Sequence, residues 1–317
     1  MPQRLILDVD TGTDDAVALM LAALHSDLEL VAVTTVNGNV SLDLTTENTL
    51  RVLDHIGVNV PVHSGMAQPL VRADFPRPRE DRSGHTEVHG RYLDVPPSHS
   101  KVRSTRAVEF LIDTYMAATD EILLVPVGPL SNIGAALSLE PRLAQRIPEL
   151  IVMGGGHEVG NVTASAEFNI WADPEAARVV FASGIPRITL VPLDATHRAL
   201  VSADDCAALR ALGTPAGEAS ARFIERRIGG YDGSQPMSRA HAAPVHDALC
   251  VAAIVDRSII RTERVYVDVE THGELTVGRT VMDTHHRSGH EPNVDVAFEA
   301  DERKFVAMLL QTFASKA

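Results

Sequence analysis

The sequence predicts an α/β fold with a mostly parallel central sheet flanked by helices and a small antiparallel addition near the C-terminus. Short β-branched runs alternate with longer helical patterns, and the runs are apolar on both faces, as buried parallel strands are. A chain of 317 residues is ordinary for one α/β domain, and no clean linker interrupts it. We therefore expect a single domain over residues 1–317.

Each predicted element follows from the spacing of its apolar residues. The strand-like runs cover residues 4–9, 29–36, 121–127, 149–155 and 187–193. The helical patterns cover residues 14–24, 41–55, 129–139 and 174–183. Because strands alternate with helices, the connections predict βαβ crossovers and hence parallel strands.

Three regions depart from this alternation. Residues 65–103 are rich in Pro, Arg and His and predict a long loop, which at this length is usually functional or mobile. Residues 265–300 hold three shorter strand-like runs, which predict the antiparallel addition, and a last helix is expected from about Asp301. The segment 223–240 has no readable conformation, and Tyr231 within it is either a cover over a ligand or a surface residue.

Charge and composition exclude several classes of protein. A formal net charge of −14 argues against nucleic-acid binding and against anionic membrane surfaces, and no apolar run approaches the roughly 18 residues of a membrane span. The N-terminus lacks a secretory pattern, and two cysteines, Cys206 and Cys250, make neither a disulfide framework nor a metal motif. We expect a soluble cytoplasmic protein without nucleic-acid or membrane partners.

An acidic cluster follows the first strand-like run. Asp8, Asp10, Asp14 and Asp15 fall within eight positions. A helix N-terminus accommodates one or two carboxylates, and Asp14 is a candidate N-cap. All four together repel one another unless a cation or shared protons intervene, so the cluster predicts a hard divalent metal. Ligands of open parallel sheets bind beyond the carboxyl ends of strands, where the polar, Gly-rich loops should meet.

One enzyme class that uses such a cluster is the Mg²⁺-dependent phosphatase of the dehalogenase type, with a first motif D-x-D-x-T. Here Thr11 stands one place too early, and the candidate loops contain no Lys to bind a phosphate. This alternative predicts phosphate release and an essential Asp8 nucleophile. The loops favour a neutral substrate instead.

The stretch from Asp8 to Asp15 also reads D-x-D-x-x-x-D-D, which resembles the signature of the inosine-uridine-preferring nucleoside hydrolases. The resemblance extends over nearly the whole chain in the family's order. Its further motifs are VNGN around Asn39, LVPVGPLSN at 124–132, VMGGGHEVGN at 152–161, AEFNIWADPEAA at 166–177 and AAPVHDALC at 242–250.

The resemblance implies one Ca²⁺ at the floor of the pocket. Its ligands would be Asp10, Asp15, Asp247 and the main-chain carbonyl of Val127, where the family commonly has Thr. Oxygen donors of this kind suit Ca²⁺, which takes six to eight ligands and leaves room for water and sugar hydroxyls. Three aspartates against one dication would also repel nucleotide phosphates, so nucleosides are the expected substrates.

The resemblance also implies a mechanism, the hydrolysis of an N-glycosidic bond through an oxocarbenium-like transition state. Asp10 would act as general base on a metal-bound water, and His246 would be the proton donor to the departing base, with His89 contacting the base. The ribose hydroxyls would be held by a polar ring: Asp14, Asn39, Asn161, Glu167 and Asn169.

These inferences predict a Ca²⁺-dependent ribonucleoside hydrolase of purine or pyrimidine salvage, with a small-molecule ribonucleoside as its ligand. The family implies a homodimer or homotetramer. A non-catalytic nucleoside- or ribose-binding protein that keeps Ca²⁺ and the sugar ring remains the alternative of another class. Asp10→Asn separates the two, because a binder keeps its property while a hydrolase loses turnover.

Overall fold

Eleven strands are present in the described residues of the computed structural model, which are 2–76 and 86–315. In chain order they are β1 (Gln3–Val9), β2 (Leu28–Thr35), β3 (Val62–Ser64), β4 (Leu123–Pro126), β5 (Leu150–Met153), β6 (Ile188–Val191), β7 (Leu200–Ser202), β8 (Ala242–Pro244), β9 (Ile260–Val269), β10 (Thr280–Asp283) and β11 (Val294–Ala300). Nine of them form one sheet in the order β10-β9-β11-β6-β5-β4-β1-β2-β3, while β7 and β8 form a separate antiparallel pair.

Most strands of the large sheet are parallel, as predicted. Parallel pairing runs without interruption from β3 through β6 to β11, and only β9 and β10 within the described sheet are antiparallel to their neighbours. The antiparallel addition near the C-terminus is therefore confirmed, and it continues the main sheet rather than standing apart. Short connections and right-handed β-α-β crossovers favour the parallel arrangement of the strands from β3 to β11.

Twelve α-helices accompany the strands in the described residues. They are α1 (Thr13–Leu24), α2 (Leu42–His55), α3 (Thr86–His89), α4 (Ala107–Ala117), α5 (Ser131–Leu139), α6 (Phe168–Ala172), α7 (Pro174–Phe181), α8 (Leu193–Thr196), α9 (Ala203–Ala211), α10 (Pro215–Ser234), α11 (His246–Val255) and α12 (Glu302–Phe313). Two 3₁₀ turns occupy Pro141–Gln145 and Arg257–Ile259. The predicted last helix begins directly after its N-cap, Asp301.

The core lies on both faces of the sheet because successive side chains of a strand point to opposite faces. In β1, Leu5 and Leu7 belong to the apolar cluster on the face of α1, α10 and α11, whereas Ile6 belongs to the cluster on the face of α5 and α7. Helix α1 is buried on all sides from Thr13 to Ala22, which agrees with its nearly uninterrupted apolar sequence.

Local sequence signals set several helix starts. Asp173 caps α7 by accepting the N–H of Ala176 at 3.1 Å, and Pro174 occupies the first turn, where its missing N–H costs nothing. The predicted loop of residues 65–103 contains α3, and its residues 77–85 lie outside the described residues. Within residues 2–76 and 86–315, no helix is long and apolar enough to cross a membrane.

The strand order changes direction at β1. The chain proceeds from β1 to β2 and β3 on one side of it, and then to β4, β5 and β6 on the other. Ligands of open α/β sheets bind at such a switch point, beyond the carboxyl ends of the strands. In this chain the acidic motif follows β1 and VGPLSN follows β4, so both predicted loops meet there.

Candidate active site

Asp10 lies at the centre of the loops that follow β1, β2 and β4. Its side chain is buried, and its Oδ2 accepts the N–H of Asn39 at 2.6 Å. Two glycines make room for it: a Cβ at Gly38 would collide with the carboxylate, and a Cβ at Gly128 would lie 2.8 Å from Oδ1. The glycines of NGN and VGP are therefore required by the close approach of backbone to Asp10.

Asp15 organises the turn that carries the motif. Its Oδ1 accepts the N–H of Asp10 at 3.1 Å, and its Oδ2 accepts the N–H of Gly12 at 2.9 Å and Nδ2 of Asn39 at 3.2 Å. The N-cap of α1 is Gly12, with Asp15 reaching back to it. The expectation that Asp14 is the N-cap is therefore wrong, which leaves the Asp14 carboxylate available for another role.

Three carboxylates converge at the N-termini of α1 and α11. Oxygens of Asp14, Asp15 and Asp247 lie within 4.8 Å of one another, and all three side chains are buried. Asp10, which the sequence predicts as a ligand, lies beside this trio and is joined to Asp15 through its N–H. The two packed helices thus bring the predicted residues from opposite ends of the chain together.

The electrostatics of this group fit a hard dication. Burial raises the pKa of Asp247 well above its usual value, and Asp14 and Asp15 raise it further. Burial and then Asp15 raise the pKa of Asp10 in the same way, and burial with Asp14 raises that of Asp15 to about 6. Buried like charges of this kind are stabilised by a cation, and the donors are all oxygens, which Ca²⁺ and Mg²⁺ prefer.

Val127 follows β4, and its main chain faces the same group. Its N–H donates to the carbonyl of Asp8 at 2.8 Å, and its carbonyl accepts Nδ2 of Asn169 at 2.7 Å. A carbonyl oxygen has two lone pairs, so the bond from Asn169 leaves one for a further partner. The side chain of Asn169 also reaches the carbonyl of Met153 at 3.2 Å, which ties the ends of β4 and β5 together.

Glu167 and Asn161 lie near each other at the start of α6. Oε2 of Glu167 accepts the N–H groups of Gly155 at 2.8 Å and Ile170 at 3.2 Å, and it caps α6. Burial raises the pKa of Glu167 to about 7 despite these bonds. Oδ1 of Asn161 accepts the N–H of Phe168 at 2.9 Å, so its Nδ2 is the side of the amide left for a ligand.

His246 opens α11 directly before Asp247. Its Nδ1 lies 2.7 Å from Oγ1 of Thr196, and its Nε2 lies 2.6 Å from the hydroxyl of Tyr231. Burial and the charge of Arg227 lower the pKa of His246 well below its usual value. The surroundings therefore disfavour the charged imidazolium, and two hydroxyl groups hold the ring in one orientation.

His89 ends α3 and lies on the outer side of the motif. Its Nδ1 is 3.2 Å from the N–H of Thr13 and 3.8 Å from Oδ1 of Asp14. Beside them is a cavity of about 270 Å³ whose lining includes Thr13, His89 and Phe223. The structure places the predicted residues in linked groups. Asp10, Asp14, Asp15, Asn39, His89 and Asp247 are in mutual contact, and His246 directly precedes Asp247. Val127 contacts Asn169, Glu167 is close enough for the charge of Asp14 to raise its pKa, and Asn161 contacts Phe168 next to Glu167.

Comparison with known proteins assigns this site to a family. The model of the inosine-uridine preferring nucleoside hydrolases matches residues 5–307. The chain is 39% identical over 299 residues to the pyrimidine-specific ribonucleoside hydrolase RihB of Escherichia coli, covering 94% of this chain and 93% of that protein. The chain belongs to the nucleoside hydrolase family.

Solved structures agree with this assignment. A purine-preferring ribonucleoside hydrolase from Gardnerella vaginalis superimposes with a TM-score of 0.89 at 30% identity, covering 98% of each chain. A plant nucleoside hydrolase, PpNRh1, gives a TM-score of 0.86 at 28% identity, covering 99% of this chain and all of the other. The predicted fold class, family and enzyme type are confirmed.

The sequence left the role of one residue of this nucleoside hydrolase undecided, Tyr231, and did not indicate another, Arg227. Tyr231, expected as a cover or a surface residue, is buried on α10 against His246. Arg227, one helical turn earlier, is 2% exposed and forms an ion pair with Asp14 at 2.8 Å. The spacing i, i+4 on a helix was the available signal, but the glycines around Tyr231 obscured the helix.

Proposed function

We propose that this nucleoside hydrolase is Ca²⁺-dependent and hydrolyses the N-glycosidic bond of ribonucleosides to ribose and a free base. The observation that carries the proposal is the group of buried carboxylates Asp10, Asp14, Asp15 and Asp247 with one facing guanidinium, Arg227, in the described residues. The chain supplies less positive charge there than the carboxylates carry, so the site calls for a dication.

The residues that would hold Ca²⁺ are Asp10, Asp15, Asp247 and the carbonyl of Val127, with Asp14 close enough to contribute. When bound, the ion supplies positive charge that acidifies a water and orients sugar hydroxyls. Ca²⁺ is proposed over Mg²⁺ because the donors come from three separate loops and helices, a flexible set that suits a larger cation with irregular coordination.

Asp10 is the proposed general base. Asn39 holds one of its oxygens through a main-chain N–H, and burial with Asp15 raises its pKa, so the carboxylate is fixed in direction and basic enough to take a proton from water. Catalysis of this type contributes about 10²- to 10⁴-fold.

The sugar is proposed to lie between Asp10 and the wall formed by Glu167 and Asn161. The polar groups available to ribose hydroxyls are the predicted ones: Asp14, Asn39, Asn161, Glu167 and Asn169. The carboxylates of Asp14 and Glu167 would stabilise the positive charge that develops on the ribose. A nucleoside that lacks one hydroxyl would leave a buried polar group unpaired and so bind more weakly.

The departing base is proposed to meet His246, Tyr231 and His89. Nε2 of His246 is bonded to the Tyr231 hydroxyl and Nδ1 to the Thr196 hydroxyl, so the three side chains form one path. Tyr231 would give its proton to the base, Nε2–H would restore the phenol, and Nδ1 would take up a proton from the Thr196 hydroxyl, which water replenishes. His89 lies on the outer side, beside Thr13, where it contacts the base rather than the sugar.

We further propose that pyrimidine ribonucleosides are the preferred substrates. The support is the 39% identity to an enzyme named pyrimidine-specific, over nearly the whole of both chains. A cytoplasmic homo-oligomer is proposed as well, since the family resemblance implies a dimer or tetramer; light scattering of the purified protein measures it.

The test is release of reducing sugar from uridine, cytidine, inosine, adenosine and 2′-deoxyuridine, with and without prior chelation of the protein. Release from ribonucleosides that chelation abolishes and Ca²⁺ restores is the expected result, with uridine or cytidine fastest. Absence of release by protein that contains Ca²⁺ would overturn the hydrolase and favour a binding protein. Phosphate release from nucleotides would favour the phosphatase.

A further inference from the structure

Arg227 is a large charged side chain in the interior, at the middle of α10. Its Nε donates to the carbonyl of Pro244 at 2.9 Å, and its Nη1 donates to Oγ1 of Thr13 at 3.2 Å. The same Nη1 lies 2.8 Å from Oδ1 of Asp14. These anchors belong to β8 and α1, so they fix the plane of the guanidinium independently of any ligand.

A structural role alone does not account for this residue. A buried cation is costly unless it is paired, and an apolar side chain of similar volume fills such a position at no cost in desolvation. Arg227 instead points at Asp14 and passes over the ring of Tyr231, 5.5 Å from its centroid. It therefore lies between the proposed sugar side of the pocket and the proposed base side.

The ion pair determines the orientation of Asp14. Oδ1 of Asp14 accepts no hydrogen bond in ideal geometry from the described residues, but it lies 2.8 Å from a guanidinium that is itself anchored twice, so the attraction between the two charges favours one rotation of the carboxylate. The N-cap role that would otherwise restrain Asp14 is taken by Gly12 and Asp15. Arg227 thus constrains the Asp14 carboxylate from the side of α10, together with the main-chain N–H groups at the start of α1.

We propose that Arg227 is a positioning residue that fixes the Asp14 carboxylate against one ribose hydroxyl and so sets the discrimination against the nucleoside lacking that hydroxyl. The inference rests on the proposed function through the sugar-binding role of Asp14. A carboxylate held in one orientation loses binding free energy when the nucleoside lacks the hydroxyl that it faces, whereas a carboxylate that can rotate finds another partner. Discrimination against that deoxy analogue follows.

The experiment compares wild type, Arg227→Met, Arg227→Lys and Asp14→Asn on uridine and on its 2′-deoxy, 3′-deoxy and 5′-deoxy analogues. Arg227→Met and Asp14→Asn should each raise KM for uridine about 10- to 100-fold. Both should lose discrimination against the same single analogue and keep it against the other two. Arg227→Lys should recover part of the loss, and the Arg227→Met/Asp14→Asn double variant should be no worse than either single variant.

The matched control is Arg210→Gln, which breaks an exposed ion pair between Arg210 of α9 and Glu225 of α10. It should leave KM and all three selectivity ratios unchanged. Unchanged ratios in folded Arg227→Met would overturn the inference while nucleoside hydrolysis stands. If wild type releases no ribose from uridine or any other ribonucleoside, the proposed function fails instead.

Circular dichroism establishes whether the variants fold. If the Arg227 variants do not, Thr13→Val removes one anchor of the guanidinium with little change in size. It should reduce discrimination about 3- to 10-fold, the loss expected for one hydrogen bond, and against the same analogue as Asp14→Asn. Thr13→Val with wild-type discrimination would overturn the inference.

Discussion

Glu149 and the Asp10 group are buried carboxylates at opposite ends of the same sheet. Glu149 directly precedes β5 and receives both terminal nitrogens of Arg257 at 2.7 and 2.6 Å, together with the hydroxyl of Thr189 at 3.2 Å. At the carboxyl ends of the strands, Asp10 and its neighbours share one buried guanidinium, that of Arg227. The chain neutralises the structural carboxylate and leaves charge unbalanced where ligands bind.

The largest expected effect is a loss of turnover on substitution of Asp10, at the carboxyl ends of the strands. Asp10→Asn keeps the shape and removes the basic oxygen, so kcat should fall about 10³-fold with KM changed only severalfold. Steady-state kinetics with the Ca²⁺ content measured in parallel test this. A variant that retains Ca²⁺ and wild-type kcat would contradict the role of Asp10 as base.

Glu149→Gln should show the opposite pattern, with stability lost and turnover kept. The variant leaves Arg257 with a neutral partner, and because Arg257 is partly exposed the expected cost is about 3 kcal/mol, at the lower end for a broken buried pair. Urea denaturation measures the loss. A fall in kcat comparable with that of Asp10→Asn would show that the two ends are not independent.

Glu167 is an intermediate case, a buried carboxylate held by N–H groups instead of by a cation. Its pKa is raised from 4.5 to about 7 by burial, so the folded state binds the proton more tightly than the unfolded state does. The resulting stability is present below about pH 4.5 and is lost as the pH rises through 7, by about 2 kcal/mol between pH 5 and 7.

Glu167→Gln removes this contribution. Denaturation of metal-free protein from pH 5 to 7 should therefore be less pH-dependent in the variant than in wild type, by that amount. Glu218→Gln, at an exposed position of α10, is the control and should follow wild type. Equal slopes in wild type and Glu167→Gln would mean that Glu167 is ionised throughout this range.

The sequence predicted the parallel sheet, the antiparallel addition and the loops that follow the strands, because apolar β-branched runs and helical patterns are local. Asp10, Asp15 and Asp247 could be predicted as ligands because they stand at strand ends or helix starts within recognisable motifs. Arg227 was missed and Tyr231 was left undecided because their roles depend on which helices pack together, and α10 meets α1 only in the folded chain. Tertiary packing is not encoded in a local pattern.

The smallest expected effect is that of Tyr231→Phe, on the base side of the pocket. Tyr231→Phe removes the hydroxyl that lies 2.6 Å from Nε2 of His246, and kcat/KM for uridine should fall about tenfold, the value of one hydrogen bond in a proton path. A riboside with an activated aryl leaving group needs no protonation and should be hydrolysed nearly as fast by the variant as by wild type. Tyr266→Phe, whose ring stacks on His290, should leave both substrates unaffected. An equal loss on both substrates would instead assign Tyr231 to ground-state packing, because a proton supplied to the base matters only when the base is a poor leaving group.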